Sequence, residues 1–256
     1  MSTRKIARYG WRPDTPDARD HVFSVEHVDA STIPASASLK SGFPTPYDQG
    51  QLGSCTGNAI AAGYQFDLRK QKAKDFLPSR LFIYYNERVM EGTVGEDAGA
   101  EIRDGIKSIA KTGVCTEKTW PYNIAKFAKK PTKASFTEAT KHTAVTYKRV
   151  DQTLNALKAT IGVAGLPVIF GFSVYESFES EEVAKTGIVN MPEKNESLLG
   201  GHAVILCGYD DVEKRFLVRN SWGPAWGNDG YFTMPYEYVT DPNLACDFWV
   251  IQTVKG

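Results

Sequence analysis

Four residues in this chain have the types and order that nucleophilic attack on a carbonyl requires. Cys55 follows the loop Tyr47-Asp48-Gln49-Gly50-Gln51-Leu52-Gly53-Ser54 and opens a run of small and apolar residues at helical spacing, Ala59, Ile60, Ala62, Gly63 and Phe66. Ser54 is a good N-cap for that helix. Cys55 then falls in the first turn, where unsatisfied N–H groups and the helix dipole favour negative charge. A thiol there is expected to ionise more readily than a free one. Gln49, six positions upstream, can place an amide donor beside the sulfur. A single cysteine is more often a small buried hydrophobe, so a second cluster carries the reading. His202 stands in Gly200-Gly201-His202-Ala203-Val204, and Asn220 in Arg219-Asn220-Ser221-Trp222-Gly223-Pro224-Ala225-Trp226-Gly227. A nucleophilic cysteine needs a base, and the base needs an orienting group. Cys55, His202 and Asn220 supply the three in chain order.

The flanking patterns say which elements must position them. Residues 35–142 read as mostly helical. A central helix runs from about Ser54 to Lys72, and a second covers Pro78–Asn86 with Pro78 near its start. A loop with Gly92, Gly95 and Gly99 precedes a third helix, Glu101–Thr112, whose Ile102, Ile106, Ile109 and Ala110 share a face and which Gly113 ends. Residues 123–146 read as a solvated Lys-rich connector without chemistry. His142 in that connector, and His21 and His27 near the N-terminus, carry no neighbouring motif and are assigned structural or surface roles. After a helix over Val150–Ile161, strands are expected at Val168–Val174, Ile188–Asn190, His202–Tyr209, Arg215–Asn220, Gly230–Met234 and Phe248–Thr253. A hairpin from Ala203 to Arg219 brings His202 and Asn220 together. The helical half thus supplies the cysteine, the stranded half the histidine, with a cleft between.

On these motifs the chain resembles the papain-like cysteine peptidases over about residues 33–250. Gln49, Gly53-Ser54-Cys55, His202-Ala203-Val204, Asn220-Ser221-Trp222-Gly223, Trp226-Gly227 and Gly230-Tyr231 match in order, with weaker support from Gly113-Val114 and Trp120-Pro121-Tyr122. The resemblance implies an α+β fold of two lobes: a helical left lobe over residues 33–144 and an antiparallel β-barrel right lobe over 145–256, with the active-site cleft between. It implies peptide-bond hydrolysis through a thiolate–imidazolium pair and a thioester. Cys55, His202, Asn220 and Gln49 are then the catalytic set, and Trp222 covers the His202–Asn220 hydrogen bond. Gly99 and Ala100 match the loop that binds the substrate backbone, Ile102 the wall of the adjoining pocket, and Gly201 and Trp222 complete the substrate-facing surface. Three positions depart from the pattern. Leu52 and Asp97 stand where the family usually has a disulfide pair, and Thr56 where an aromatic residue commonly follows the nucleophile. The missing disulfide is shared with bacterial or viral members rather than lysosomal ones.

Composition bounds the rest. The 256 residues contain 30 basic and 30 acidic side chains, so no strong electrostatic case exists for nucleic acid or an anionic membrane. No apolar run approaches the roughly 20 residues of a membrane-spanning helix, and no apolar segment follows the basic N-terminus as in a secretory signal. Four cysteines, one of them a nucleophile, leave at least one unpaired. With the missing disulfide this predicts a reducing, cytoplasmic compartment, or export without a cleavable signal. No metal or other cofactor is expected, because the Cys and His spacings do not match a zinc site. The expected partner is a peptide or protein substrate, and the expected state a monomer.

Residues 1–32 form an N-terminal extension before the point where such domains begin. It is rich in Arg and Asp, with Tyr9 and Trp11 among them. Either it packs on the surface through Tyr9, Trp11, Val22 and Phe23, or it lies over the cleft and limits access. Two rival functions bring different expectations. An α/β-hydrolase with a cysteine nucleophile would need a strand before Gly53 and an acid between nucleophile and histidine. A catalytically silent binding module would need no intact Gln49, Cys55, His202 and Asn220. An endopeptidase is expected because no evident inserted loop blocks one end of the cleft, residues 235–246 being the one candidate for such a loop.

Overall fold

The computed structural model describes residues 7–25 and 29–255; His27 lies outside them. In chain order the strands are β1 (Val22–Phe23), β2 (Ser36–Ser38), β3 (Ala144–Val150), β4 (Val168–Tyr175), β5 (Leu198–Asp210), β6 (Arg215–Arg219), β7 (Tyr231–Pro235) and β8 (Ala245–Val254). The helices are α1 (Cys55–Lys70), α2 (Arg80–Glu91), α3 (Ile102–Lys111), α4 (Lys133–Ala139), α5 (Leu154–Gly162), α6 (Glu181–Thr186) and α7 (Tyr236–Thr240). Helices α1 to α4 precede β3, and all the long strands follow, so the α+β division into a helical and a stranded half is present.

Helix α1 is buried from Cys55 to Leu68, which explains its run of small residues. Gly63 lets it settle on the sheet: a Cβ there would sit 3.1 Å from the Ile169 Cδ1. The Ser54 hydroxyl does not cap α1. It pairs with the Tyr122 hydroxyl at 2.6 Å, while Asn58 donates back to the Ser54 carbonyl at 2.9 Å. Ser79 does cap α2, accepting from the Phe82 N–H, and Gly92 closes it in the left-handed conformation.

The strands run β1-β3-β8-β4-β5-β6-β7, with β2 paired to β5. This open eight-stranded sheet corrects the closed barrel expected above. Closure would need the outer edges of β3 and β7. The first is taken by β1, parallel to β3 at Val22–Arg149, and the second by the Gly187–Val189 turn, bonded to Thr233 in both directions. Alternate residues on β4 face two different cores. Ile169 joins the core under α1, α2 and α3, while Val168, Phe170, Phe172 and Val174 join the core on the other face. The expected strand at Ile188–Asn190 contributes one bridge, Ile188 to Thr233. The supposed connector over 123–146 instead contains α4 and the start of β3.

Candidate active site

Two segments far apart in sequence are zipped together at the head of α1. The Gln49 N–H donates to the Ser221 carbonyl at 2.9 Å, and the Gly223 N–H to the Tyr47 carbonyl at 2.8 Å. That short antiparallel contact brings the loop before Cys55 against the segment after Asn220. Arg80 supports it from within α2, bonding both carboxylate oxygens of Glu117 (2.8 and 2.6 Å), the Asp48 carbonyl (3.1 Å) and the Asn58 side chain (3.2 Å).

His202 and Asn220 sit on β5 and just past β6, as the hairpin reading required. The His202 Nε2 lies 2.8 Å from the Asn220 Oδ1. The same oxygen accepts the Ser221 N–H at 2.8 Å, which fixes it as the acceptor end of the amide. Nε2 must therefore carry the proton, and Nδ1 presents its lone pair. Nδ1 is buried with no hydrogen-bond partner among the described residues. The Cys55 sulfur rests near the backbone N–H of Ala203, the residue after His202. The Trp222 ring lies 5.2 Å from the imidazole, centre to centre, and Phe172 and Phe178 pack around it. Gln49 is fully buried; its Oε1 accepts from the Ser221 hydroxyl at 2.6 Å and its Nε2 donates to the Leu52 carbonyl at 3.0 Å, leaving one amide hydrogen to serve a ligand. Ser221 was not singled out from the sequence, although it lies inside the Asn-Ser-Trp-Gly motif.

The N-terminal arm passes through this cleft. The Ala100 N–H donates to the Gly10 carbonyl (2.7 Å), the Arg12 N–H to the Ala100 carbonyl (3.1 Å) and the Trp11 N–H to the Gly201 carbonyl (3.0 Å). Of the predicted substrate-facing residues, Ala100 and Gly201 thus pair with the arm's main chain, and Gly99 lies directly against Gly10. Ile102 is fully buried in the same core as Trp11. Residues two apart share a face in a regular strand, yet Tyr9 and Trp11 enter different cores, so the arm is not a regular strand across Gly10. Tyr9 packs edge-on to His202 at 6.0 Å and joins the stranded-lobe core, whereas Trp11 joins the helical-lobe core. The indole fills space left by two glycines: a Cβ at Gly171 would lie 1.9 Å, and one at Gly201 2.4 Å, from its ring atoms. Gly10 has no room for a side chain either, since its Cβ would lie 1.7 Å from the Gly53 carbonyl oxygen.

This cover changes the expected electrostatics. Burial pushes the Cys55 thiol up to about 12 and holds His202 down to about 4. With the arm in place both shifts favour the uncharged forms, against the ion pair expected from the helix start. Desolvation outweighs the helix-start N–H groups.

All four cysteines are free thiols. Where a disulfide was missing in the sequence, Asp97 makes a polar contact instead, accepting the Gly53 N–H at 3.0 and 3.2 Å. His142 packs against Phe76 with the rings tilted and their centres 4.5 Å apart, a structural placement.

Comparison with known proteins now bears on this geometry. The model for papain family cysteine proteases matches residues 45–247. The chain belongs to the papain family. It is 43% identical to an uncharacterised peptidase C1-like protein of Acanthamoeba polyphaga mimivirus, over 99% of this chain and 90% of that one. It is also similar to the crystal structure of xylellain, a cysteine protease from Xylella fastidiosa, with 43% identity, a TM-score of 0.90 and 98% of each chain covered. Procathepsin L 3 of the Tenebrio molitor larval midgut shares the fold at 20% identity and a TM-score of 0.68, over 93% of this chain and 74% of that one. Family membership and the papain-like two-lobe fold both stand, with the stranded lobe an open sheet.

Proposed function

We propose that this chain is a cysteine endopeptidase held in a latent state by its own N-terminal arm. The arrangement that carries the reading is the buried imidazole: Nε2 is committed to Asn220 at 2.8 Å while Nδ1 has no hydrogen-bond partner among the described residues. Once water or substrate replaces the arm, Nδ1 takes the Cys55 proton and the sulfur attacks the peptide carbonyl. The remaining Gln49 amide hydrogen and the Cys55 N–H, at the open end of α1, hold the oxyanion. The imidazolium then protonates the leaving amine, a thioester remains, and water clears it with His202 as base. Trp222 shields the His202–Asn220 bond from water.

Latency rests on the arm's position. Its main chain occupies the Ala100 and Gly201 peptide groups, and its Trp11 fills the space over Gly171 and Gly201. A substrate using those groups must displace it. The unpaired thiols suit a reducing compartment.

The test combines labelling and cleavage. A thiol-specific peptide-like inhibitor should label Cys55 in the wild type and fail in His202→Ala and Cys55→Ala. Absence of labelling even after arm release would favour a silent binding module. An internally quenched peptide blocked at both ends should be cut; release only of terminal residues would make the enzyme an exopeptidase.

A further inference from the structure

One carboxylate joins the two loops that frame the nucleophile, and nothing in the catalytic set accounts for it. Asp97 lies in the loop between α2 and α3. Its Oδ1 and Oδ2 accept the Gly53 N–H at 3.2 and 3.0 Å. Its Oδ1 also accepts the Tyr84 hydroxyl, and that hydroxyl in turn accepts the Gly99 N–H at 3.2 Å. Gly53 stands two residues before Cys55, and Gly99 precedes Ala100, whose N–H faces the cleft main chain. The carboxylate therefore ties the nucleophile loop to the wall peptide through one set of charge-assisted bonds. Gly53 permits the approach, because a Cβ there would lie 3.0 Å from the Asp97 Oδ1.

The anchor is itself held rigidly. Arg88, fully buried in α2, donates to the carbonyls of Val94 and Glu96 at 2.9 Å each and of Phe127 at 2.6 Å. Its guanidinium lies 4.0 Å from the centre of the Tyr84 ring. The loop that carries Asp97 is thus knotted around Arg88, and Tyr84 is clamped beneath it. An apolar contact would keep the loops close, but only an acceptor on Asp97 fixes the direction of the Gly53 N–H.

We propose that Asp97 is a positioning residue for peptide hydrolysis, setting the Gly53–Cys55 main chain relative to the Gly99–Ala100 wall. This rests on the peptidase reading above. Its loss displaces the Cys55 N–H that faces the oxyanion and the Ala100 peptide that pairs with substrate, so kcat falls and KM rises together.

The experiment uses full-length chain, both wild type and Trp11→Ala so that arm occupancy is shared, with Asp97→Asn and Asp97→Ala in each. A charge-assisted bond is worth roughly a tenfold to hundredfold effect when one partner is removed. Expected is a fall in kcat/KM of about 30-fold for Asp97→Ala and about tenfold for Asp97→Asn, which keeps the Oδ1 acceptor but loses the charge and the shorter Gly53 N–H bond to Oδ2. Alkylation of Cys55 by iodoacetamide, which needs neither wall nor oxyanion site, should not slow. Hydrolysis within about threefold of the parent in either variant overturns the proposal. So does a loss that appears equally in the alkylation rate, or that follows the thermal melt. If neither parent hydrolyses peptide nor takes the inhibitor at Cys55, the peptidase reading has failed instead.

Discussion

Trp11→Ala is the perturbation that bears most directly on latency. The indole is 7% exposed and rests on Gly171 and Gly201. Truncating a buried Trp costs about 3–5 kcal/mol in lost transfer and cavity terms. Glycines line this site, so little side-chain collapse can refill it, and the upper half of that range applies. Nearly all the cost falls on the docked arm, because a displaced arm exposes residue 11 to water in either sequence. A loss of about 4 kcal/mol raises the ratio of open to docked arm by roughly a thousandfold. Hydrolysis limited by arm opening should then rise by up to that factor, levelling off once the arm is mostly displaced. The assay is cleavage of a short fluorogenic peptide under excess substrate, with Cys55 alkylation measured in parallel. Both rates should climb together, since both need the sulfur uncovered. An unchanged or lower rate in a variant that still melts cooperatively would refute the claim that the arm limits access.

Three further outcomes follow from other contacts. Asp14, on the arm, accepts the Arg103 N–H, the Trp249 indole N–H and Arg149, which also bonds Asp247; burial, with Asp247 second, raises Asp14 from 3.8 to about 7. A carboxyl raised on docking takes up a proton, so docking should weaken as pH climbs from about 4 to about 7 and level off above. Arm opening, read by Cys55 alkylation corrected to the Trp11→Ala rate, should rise across that window and lose its slope in Asp14→Asn. Glu87 is fully buried, accepts the Thr56 hydroxyl at 2.7 Å, and is pushed up to about 8 by burial. It contributes most to stability below its ordinary range, and that contribution falls as pH rises to about 8, so the melting temperature should drop over that interval and Glu87→Gln should flatten the drop. In the catalytic set, Gln49→Ala removes one oxyanion donor and should lower kcat by about a hundredfold. Its KM should change little, measured on the same fluorogenic peptide.

Much of the architecture could be read from pattern. The central helix, its two neighbours and five strands follow the spacing of apolar residues within each segment. β3 escaped because Lys148 and Arg149, polar and half-buried, occupy a strand paired to β8 and, at Arg149, to the arm's β1. The barrel was wrong for a related reason: whether two edges meet depends on what else occupies them, and here the arm and the Gly187–Val189 turn do.

The amino-acid sequence by itself picked out the candidate reacting groups, because Cys55, His202, Asn220 and Gln49 lie in short motifs whose local chain geometry presents them. It also narrowed the arm to two placements without choosing. Only the tertiary structure decided that Tyr9-Gly10-Trp11 threads the cleft, that burial favours the uncharged thiol and imidazole, and that Asp97 bonds Gly53. Each depends on space left by a glycine opposite a distant residue. A glycine shows no partner until the chain across from it is in place.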